Sequence, residues 1–263
     1  MLTTRFVTGA PNWTDVGTPD IEGARTFYGA LFGWEFEPGG PEVGGYGMFR
    51  LAGKVAAGGM QVPRDQGEPA WTIYFQTSDA DSTSKAVEQA GGTVLMQPMD
   101  VLDQGRMALL ADQGGVPFGV WQPRANSGLD IANEPGALCW VELYTPDVAT
   151  AGDFYASVFD METSEVPFPG GPYTCVNPAE GGRDAMFGGM VPLAGDPVEA
   201  RAGAYWLPYF EVTDTDATAA QATELGGTVR MAPVDLPEIG RMAKLADPYG
   251  ARFAVIKSAQ RQS

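Results

Sequence analysis

Apolar residues recur at two periods along this chain, and the switch between the periods predicts its elements. Cys139, Val141 and Leu143 alternate with Trp140, Glu142 and Tyr144, the period of two expected of a strand with one apolar face. Pro146-Asp147 then turns the chain. Asp147 suits a helix N-cap, and Val148, Ala151, Phe154, Tyr155, Val158 and Phe159 follow at spacings of three and four along one helical stripe. An earlier stretch has the same form, with a strand around Trp13, Asp20 as cap, and Ile21, Ala24, Phe27, Tyr28, Leu31 and Phe32 as stripe. Gly33 stops that helix.

The two stretches are copies. Trp13/Trp140, Thr18-Pro19-Asp20/Thr145-Pro146-Asp147 and Phe27-Tyr28/Phe154-Tyr155 all match at an offset of 127 residues without a gap, which marks an internal duplication. Later matches continue it. Gly58-Gly59-Met60 aligns with Gly188-Gly189-Met190 at 130, and Gly240-Arg241-Met242-Ala243, Asp247 and Phe253 align with their counterparts at 135. Loops such as that from Leu193 to Gly203 absorb the growth.

Each half reads as two units of strand, helix and three strands. After the first helix, strands are expected at Trp34–Glu37, Tyr46–Leu51 and Val55–Val62, the last interrupted by Gly58-Gly59, where a bulge or the close approach of another group is implied. A second unit starts at Trp71–Gln76, with Trp71, Ile73 and Phe75 facing a helix from Asp79 to Ala90 that Gly91-Gly92 ends. Strands follow at Thr93–Met96, Arg106–Ala111 and Val116–Gln122. The expected domains are residues 1–125 (units 11–62 and 70–122) and 137–263 (units 138–192 and 204–257), joined by a linker at 126–136. Pro169-Gly170-Gly171-Pro172 reads as a turn.

Composition narrows the function. At 263 residues and 44% apolar content the chain can build real cores, and no run of 18 apolar residues suggests a membrane span. The N-terminus lacks the pattern of a signal peptide, so a cytoplasmic location is expected. A net charge of -17 argues against nucleic acid and anionic lipid as partners. Cys139 and Cys175, both in the second half, read as buried thiols rather than a disulfide framework. There is no histidine.

Four βαβββ units in two halves, with helix openings of the type Thr-Pro-Asp then Phe-Tyr and a strand ending such as Asp247-Pro248-Tyr249-Gly250, resemble the vicinal oxygen chelate superfamily. That superfamily contains glyoxalase I, extradiol dioxygenases, fosfomycin-modifying enzymes and bleomycin-resistance proteins, and the resemblance covers nearly the whole chain. It implies an α+β fold of tandem glyoxalase-like domains, each of two βαβββ units whose curled mixed sheets form a cup. Metal-using members place His, Gln or Glu on the first and last strands of the units. Here the first-strand positions hold Trp13, Thr72, Trp140 and Leu207, and the last-strand positions fall near Gly59, Gly119, Gly189 and Ala254. No metal and no cofactor are therefore expected, because imidazole and carboxylate donors are missing from those positions. Asp15, Glu142 and Glu211 lie on the same faces, where they either bind a hard cation or accept hydrogen bonds from Tyr, Trp and backbone groups.

Two functions remain open. In the first, Trp13, Asp15, Tyr74, Gln76, Trp121 and Trp140 line a binding site for an aromatic or polyketide-like small molecule, in resistance, sequestration or service to a biosynthetic partner enzyme. In the second, Glu142 or Glu211 is the general base of a metal-independent lyase, isomerase or tailoring enzyme, with Tyr209 stabilising an oxyanion. The internal pseudo-dimer predicts a monomer.

Overall fold

A computed structural model describes residues 2–168, 171–196, 198–200 and 203–259. The expected turn at Pro169-Gly170 and residues 260–263 of the second expected domain lie outside them. Four βαβββ modules follow one another. The first is β1 (Pro11–Thr18), α1 (Ile21–Phe32), β2 (Glu35–Pro38), β3 (Gly47–Leu51) and β4 (Lys54–Gln61). The second is β5 (Ala70–Gln76), α2 (Ala80–Gln89), β6 (Thr93–Val101), β7 (Gly105–Ala111) and β8 (Pro117–Pro123). The third is β9 (Leu138–Thr145), α3 (Val148–Phe159), β10 (Glu162–Phe168), β11 (Gly171–Asn177) and β12 (Gly188–Pro192). The fourth is β13 (Tyr205–Glu211), α4 (Thr215–Glu224), β14 (Thr228–Leu236), β15 (Gly240–Ala246) and β16 (Arg252–Ser258).

Each half makes one eight-stranded mixed sheet, in the orders β2-β3-β4-β1-β5-β8-β7-β6 and β10-β11-β12-β9-β13-β16-β15-β14. The pairings β1 with β4 and β5 with β8 are parallel, as are β9 with β12 and β13 with β16, whereas the hairpins are antiparallel. No helix among the described residues is long and apolar enough to cross a membrane.

The helix ends follow their local chemistry. Asp20, Asp79, Asp147 and Asp214 each sit in extended backbone and accept from an amide of the first turn, satisfying one of the donors that a helix start leaves open. Gly33 closes α1 at φ 72°, a conformation a side chain resists. Several expected boundaries shift, most of them by one residue. Trp34 is buried but precedes β2, and β6 runs on past Met96 to Val101 because Pro98 falls within a register shift of this edge strand, where no ladder bond is required of it.

By its contacts the chain divides into two compact units. One comprises Met1–Thr14, Thr72–Gly128 and Trp140–Trp206; the other comprises Asp15–Trp71, Leu129–Cys139 and Leu207–Ser263. Each is built on a helix tyrosine. In the first, the Tyr155 ring of α3 meets Trp206 and Phe118, both at 5.5 Å. Trp206 Nε1 donates to the Tyr155 hydroxyl at 2.9 Å, which donates to Asp112 Oδ2 at 3.3 Å. In the second, Tyr28 of α1 meets Trp71 at 5.3 Å and Phe253 at 5.7 Å. Trp71 Nε1 donates to the Tyr28 hydroxyl at 3.1 Å, and that hydroxyl donates to Asp247 Oδ2 at 3.0 Å. Each ring pair contributes about 0.5–1.5 kcal/mol beyond area burial, and the shared hydroxyl satisfies two buried polar groups at once.

Candidate functional site

Along β9 the helix-facing positions Val141 and Leu143 are fully buried, which turns Trp140, Glu142 and Tyr144 to the opposite face of the sheet. On that face three aromatic side chains converge with one carboxylate. Tyr173 of β11 donates to Glu142 Oε1 at 2.7 Å, and Tyr144 donates to Oε2 at 2.8 Å. Trp140 Nε1 donates to the Tyr173 hydroxyl at 2.9 Å. Tyr173 reaches across β12 because Glu142's register partner there is Gly189, where a Cβ would collide with the phenol. Burial, and next the Glu142 charge, hold the Tyr173 hydroxyl protonated well above its ordinary range. It therefore remains a donor.

Further rings extend this group. Phe168 stacks on Tyr173 at 5.3 Å, beside an open hollow of about 450 Å³ lined by Glu165–Phe168 and Gly171-Pro172. Tyr144 stacks on Tyr205 at 5.6 Å, and Tyr205 donates to the buried Glu199 at 2.6 Å. Cys175 lies two residues beyond Tyr173, and burial, then Glu142, raise its thiol while Arg183 opposes them. It is a weak nucleophile in that state.

The first half repeats the central pair in the second compact unit. Tyr46 of β3 donates to Asp15 Oδ2 at 2.9 Å, passing Gly58, which is Asp15's register partner on β4. The expectation at Gly58-Gly59 resolves to close approach, since the β3–β4 register shift lies at Phe49/Arg50.

The remaining predicted positions are spread out. The Tyr74 ring lies over Gly119, where no Cβ fits. Gln76 Nε2 donates to the Phe6 carbonyl at 3.2 Å. Trp121 Nε1 donates to the Asn126 carbonyl at 2.9 Å, its indole packed against Gly105. Trp13 and Tyr209 are buried. Glu211 accepts from the Ser258 amide at 2.8 Å and from its hydroxyl at 2.5 Å, so its carboxylate is held at the strand end. Cys139 is buried and donates to the Tyr209 carbonyl at 3.3 Å; burial, then Glu211, raise its thiol. Of the predicted set, Trp140 and Glu142 are brought together through Tyr173. Sequence reasoning missed Tyr173 and Tyr46, although both stand at the 127-residue offset that relates Glu142 to Asp15.

The donors present do not fit a divalent metal site of the kind found in metal-using superfamily members. Among the described residues no three His, Cys, Asp or Glu side chains are grouped to hold an ion, and the partners of Asp15 and Glu142 named above are phenols that donate to them.

Duplicated βαβββ modules, one sheet per half and a polar aromatic face around the first strand define a protein of the glyoxalase type. The chain matches the Glyoxalase/Bleomycin resistance protein/Dioxygenase superfamily over residues 10–120 and 137–255 and belongs to it. It is 40% identical to the anthracycline biosynthesis protein DauV of Streptomyces sp. (strain C5) over 97% of this chain and 95% of that protein. It is 38% identical to the putative glyoxylase CFP32 of Mycobacterium tuberculosis (strain CDC 1551 / Oshkosh) over 97% of each. Two solved structures share the fold at low identity. The 2,3-dioxygenase LapB of Pseudomonas sp. KL28 aligns with a TM-score of 0.63 at 14% identity over 98% of this chain and 95% of that one. The Mn(II)-bound glyoxalase of Novosphingobium aromaticivorans aligns with a TM-score of 0.63 at 15% identity over 97% and 83%.

Proposed function

We propose that this glyoxalase-like protein binds a flat aromatic or polyketide-like small molecule without a metal ion, in an auxiliary or protective role in natural-product metabolism. The observation that carries the reading is the Trp140–Tyr173–Glu142 network. It sets an indole on the strand where metal-using members keep ligands, hydrogen-bonded to a phenol that reaches it from β11. Rigid rings with polar edges suit a planar guest that offers its own oxygens, because stacking and hydrogen bonding then act together. The relative named for anthracycline biosynthesis supports this ligand class. A role for Glu142 as general base is less well supported, since both its oxygens already accept phenolic hydrogen bonds.

Titration with an anthracycline, read by tryptophan fluorescence, tests the proposal. Saturable quenching that persists after EDTA, and weakens about fivefold in Trp140→Phe, is expected from the loss of about 1 kcal/mol of stacking. No saturable binding, or binding abolished by the chelator, overturns it.

A further inference from the structure

The hollow of about 450 Å³ lies wholly in the compact unit that holds Trp140, Glu142 and Tyr173. β10 ends its sheet, so consecutive residues from both of its faces, Glu165 to Phe168, border the hollow, and Gly171-Pro172 of β11 complete it. Phe168 joins it to the aromatic network, because its ring stacks on Tyr173 at 5.3 Å with 29° between the planes. A volume of that order holds an organic group.

The lining is apolar but for one acid. Val166, Pro167, Phe168 and Pro172 offer carbon surface, and among the described residues Glu165 is the one polar side chain there. Pro167 and Pro172 are register partners and neither has an N–H, so this rung of the ladder contributes two carbonyls and no donor. The Tyr173 hydroxyl donates to Glu142 instead. Glu165 is exposed, and none of the ion pairs among the described residues takes it up. The wider stretch from Trp140 to Trp206 carries ten Asp and Glu against two Arg, of which Arg183 acts on Cys175. An anionic substituent is repelled from such a place, and a cationic one is drawn to it.

We infer that the hollow is the subsite for a protonated amine carried on a saturated side group of the aromatic guest, with Glu165 as its counter-ion and Val166, Phe168 and the two prolines around its carbon frame. The inference rests on the ligand class proposed above and adds the substituent recognised. Glu165 is thus a specificity-determining residue, separate from the network that holds the flat ring. Because it is exposed, its pairing with an ammonium is screened and adds a modest factor to affinity.

The test uses the full chain and an anthraquinone bearing a 3-aminopropyl side group, alongside the same compound N-acetylated, with affinity read by tryptophan quenching at neutral pH and low salt. Wild type is expected to bind the amine about fourfold more tightly than the acetamide. Glu165→Gln should bind the two alike, and salt at about 0.5 M should abolish the preference of wild type. Exchange of an exposed acid for its amide leaves the fold undisturbed. Glu88→Gln, which removes an exposed acid of α2 in the same unit, should keep the preference intact. If wild type binds amine and acetamide alike, if Glu165→Gln keeps the preference, or if Glu88→Gln loses it equally, the hollow has no such role and binding of the flat ring stands. If neither compound binds wild type, the ligand class fails and this inference fails with it.

Discussion

Tyr28 and Asp247 lie 219 residues apart in the chain and are joined by a buried hydrogen bond of 3.0 Å. The hydroxyl also accepts from Trp71 Nε1, so one atom ties α1 to the start of β5 and to the turn before β16. Tyr155, Trp206 and Asp112 repeat the relay at 2.9 and 3.3 Å. Each compact unit is held by one such triad of residues that neighbour one another only after folding.

Tyr28→Phe tests what the relay contributes. The ring remains, but the Trp71 N–H and Asp247 Oδ2 lose their shared partner inside the core. Leaving buried polar groups unpaired costs about 1–3 kcal/mol. Urea unfolding should show a loss of about 2 kcal/mol, and a smaller one for Tyr155→Phe, whose bond to the carboxylate is longer. Equal stability of Tyr28→Phe and wild type would show that the hydroxyl adds nothing.

Asp247 also gives a pH signature. Burial is the main cause of its raised pKa, opposed by the amides of Ala251, Tyr249 and Gly250 and by the Tyr28 hydroxyl. Asp112 is raised in the same way. A carboxyl with a raised folded-state pKa takes up its proton more readily folded than unfolded. Its ionisation therefore costs stability above the folded pKa, and the cost disappears as pH falls through that value toward the ordinary 3.8. Asp247→Asn has no such titration, so wild type should gain on the variant as acid is added across this window. The exposed Asp81 and Asp216, lowered by hydrogen bonds from Arg106 and Arg241, lose their small contributions only below 3.8. Unfolding midpoints of both proteins across the window decide the matter; a constant gap between them refutes it.

Gly189 tests the aromatic face directly. A methyl there occupies the space of the Tyr173 hydroxyl, so Gly189→Ala should push the phenol off Glu142 and release Trp140 Nε1. The expected result is a red-shifted tryptophan emission and weaker anthracycline binding, with Tyr173→Phe reproducing the weaker binding. Unchanged emission and affinity in Gly189→Ala would mean that the network is not the receptor.

Helix starts, stops and faces were legible because their causes are local: an aspartate cap, a glycine in the left-handed region and a stripe at spacings of three and four. The module order followed from the duplication. Across-strand relations were not legible in the same way. Nothing near Glu142 in sequence marks Tyr173 as its donor, since the contact depends on a register set by β11, β12 and β9 together.

Met60 and Met190 show how far a one-residue difference in register carries. Sequence alignment pairs them at an offset of 130, but the structure pairs Gly58 with Asp15 and Gly189 with Glu142, an offset of 131 on the glycines against 127 on the acids. The register shift at Phe49/Arg50 is confined to the first half, whereas β11 pairs with β12 without one. A slip of one residue in a strand exchanges its faces. Met60 is consequently 36% exposed, and Met190 is 1% exposed. Truncating a buried methionine leaves a cavity and costs about 2–5 kcal/mol, whereas an exposed substitution stays within about 0.5 kcal/mol. Met190→Ala should lower the urea midpoint accordingly and Met60→Ala should leave it unmoved. Equal effects of the two would show that the strands share one register and that the aligned methionines are equivalent after all.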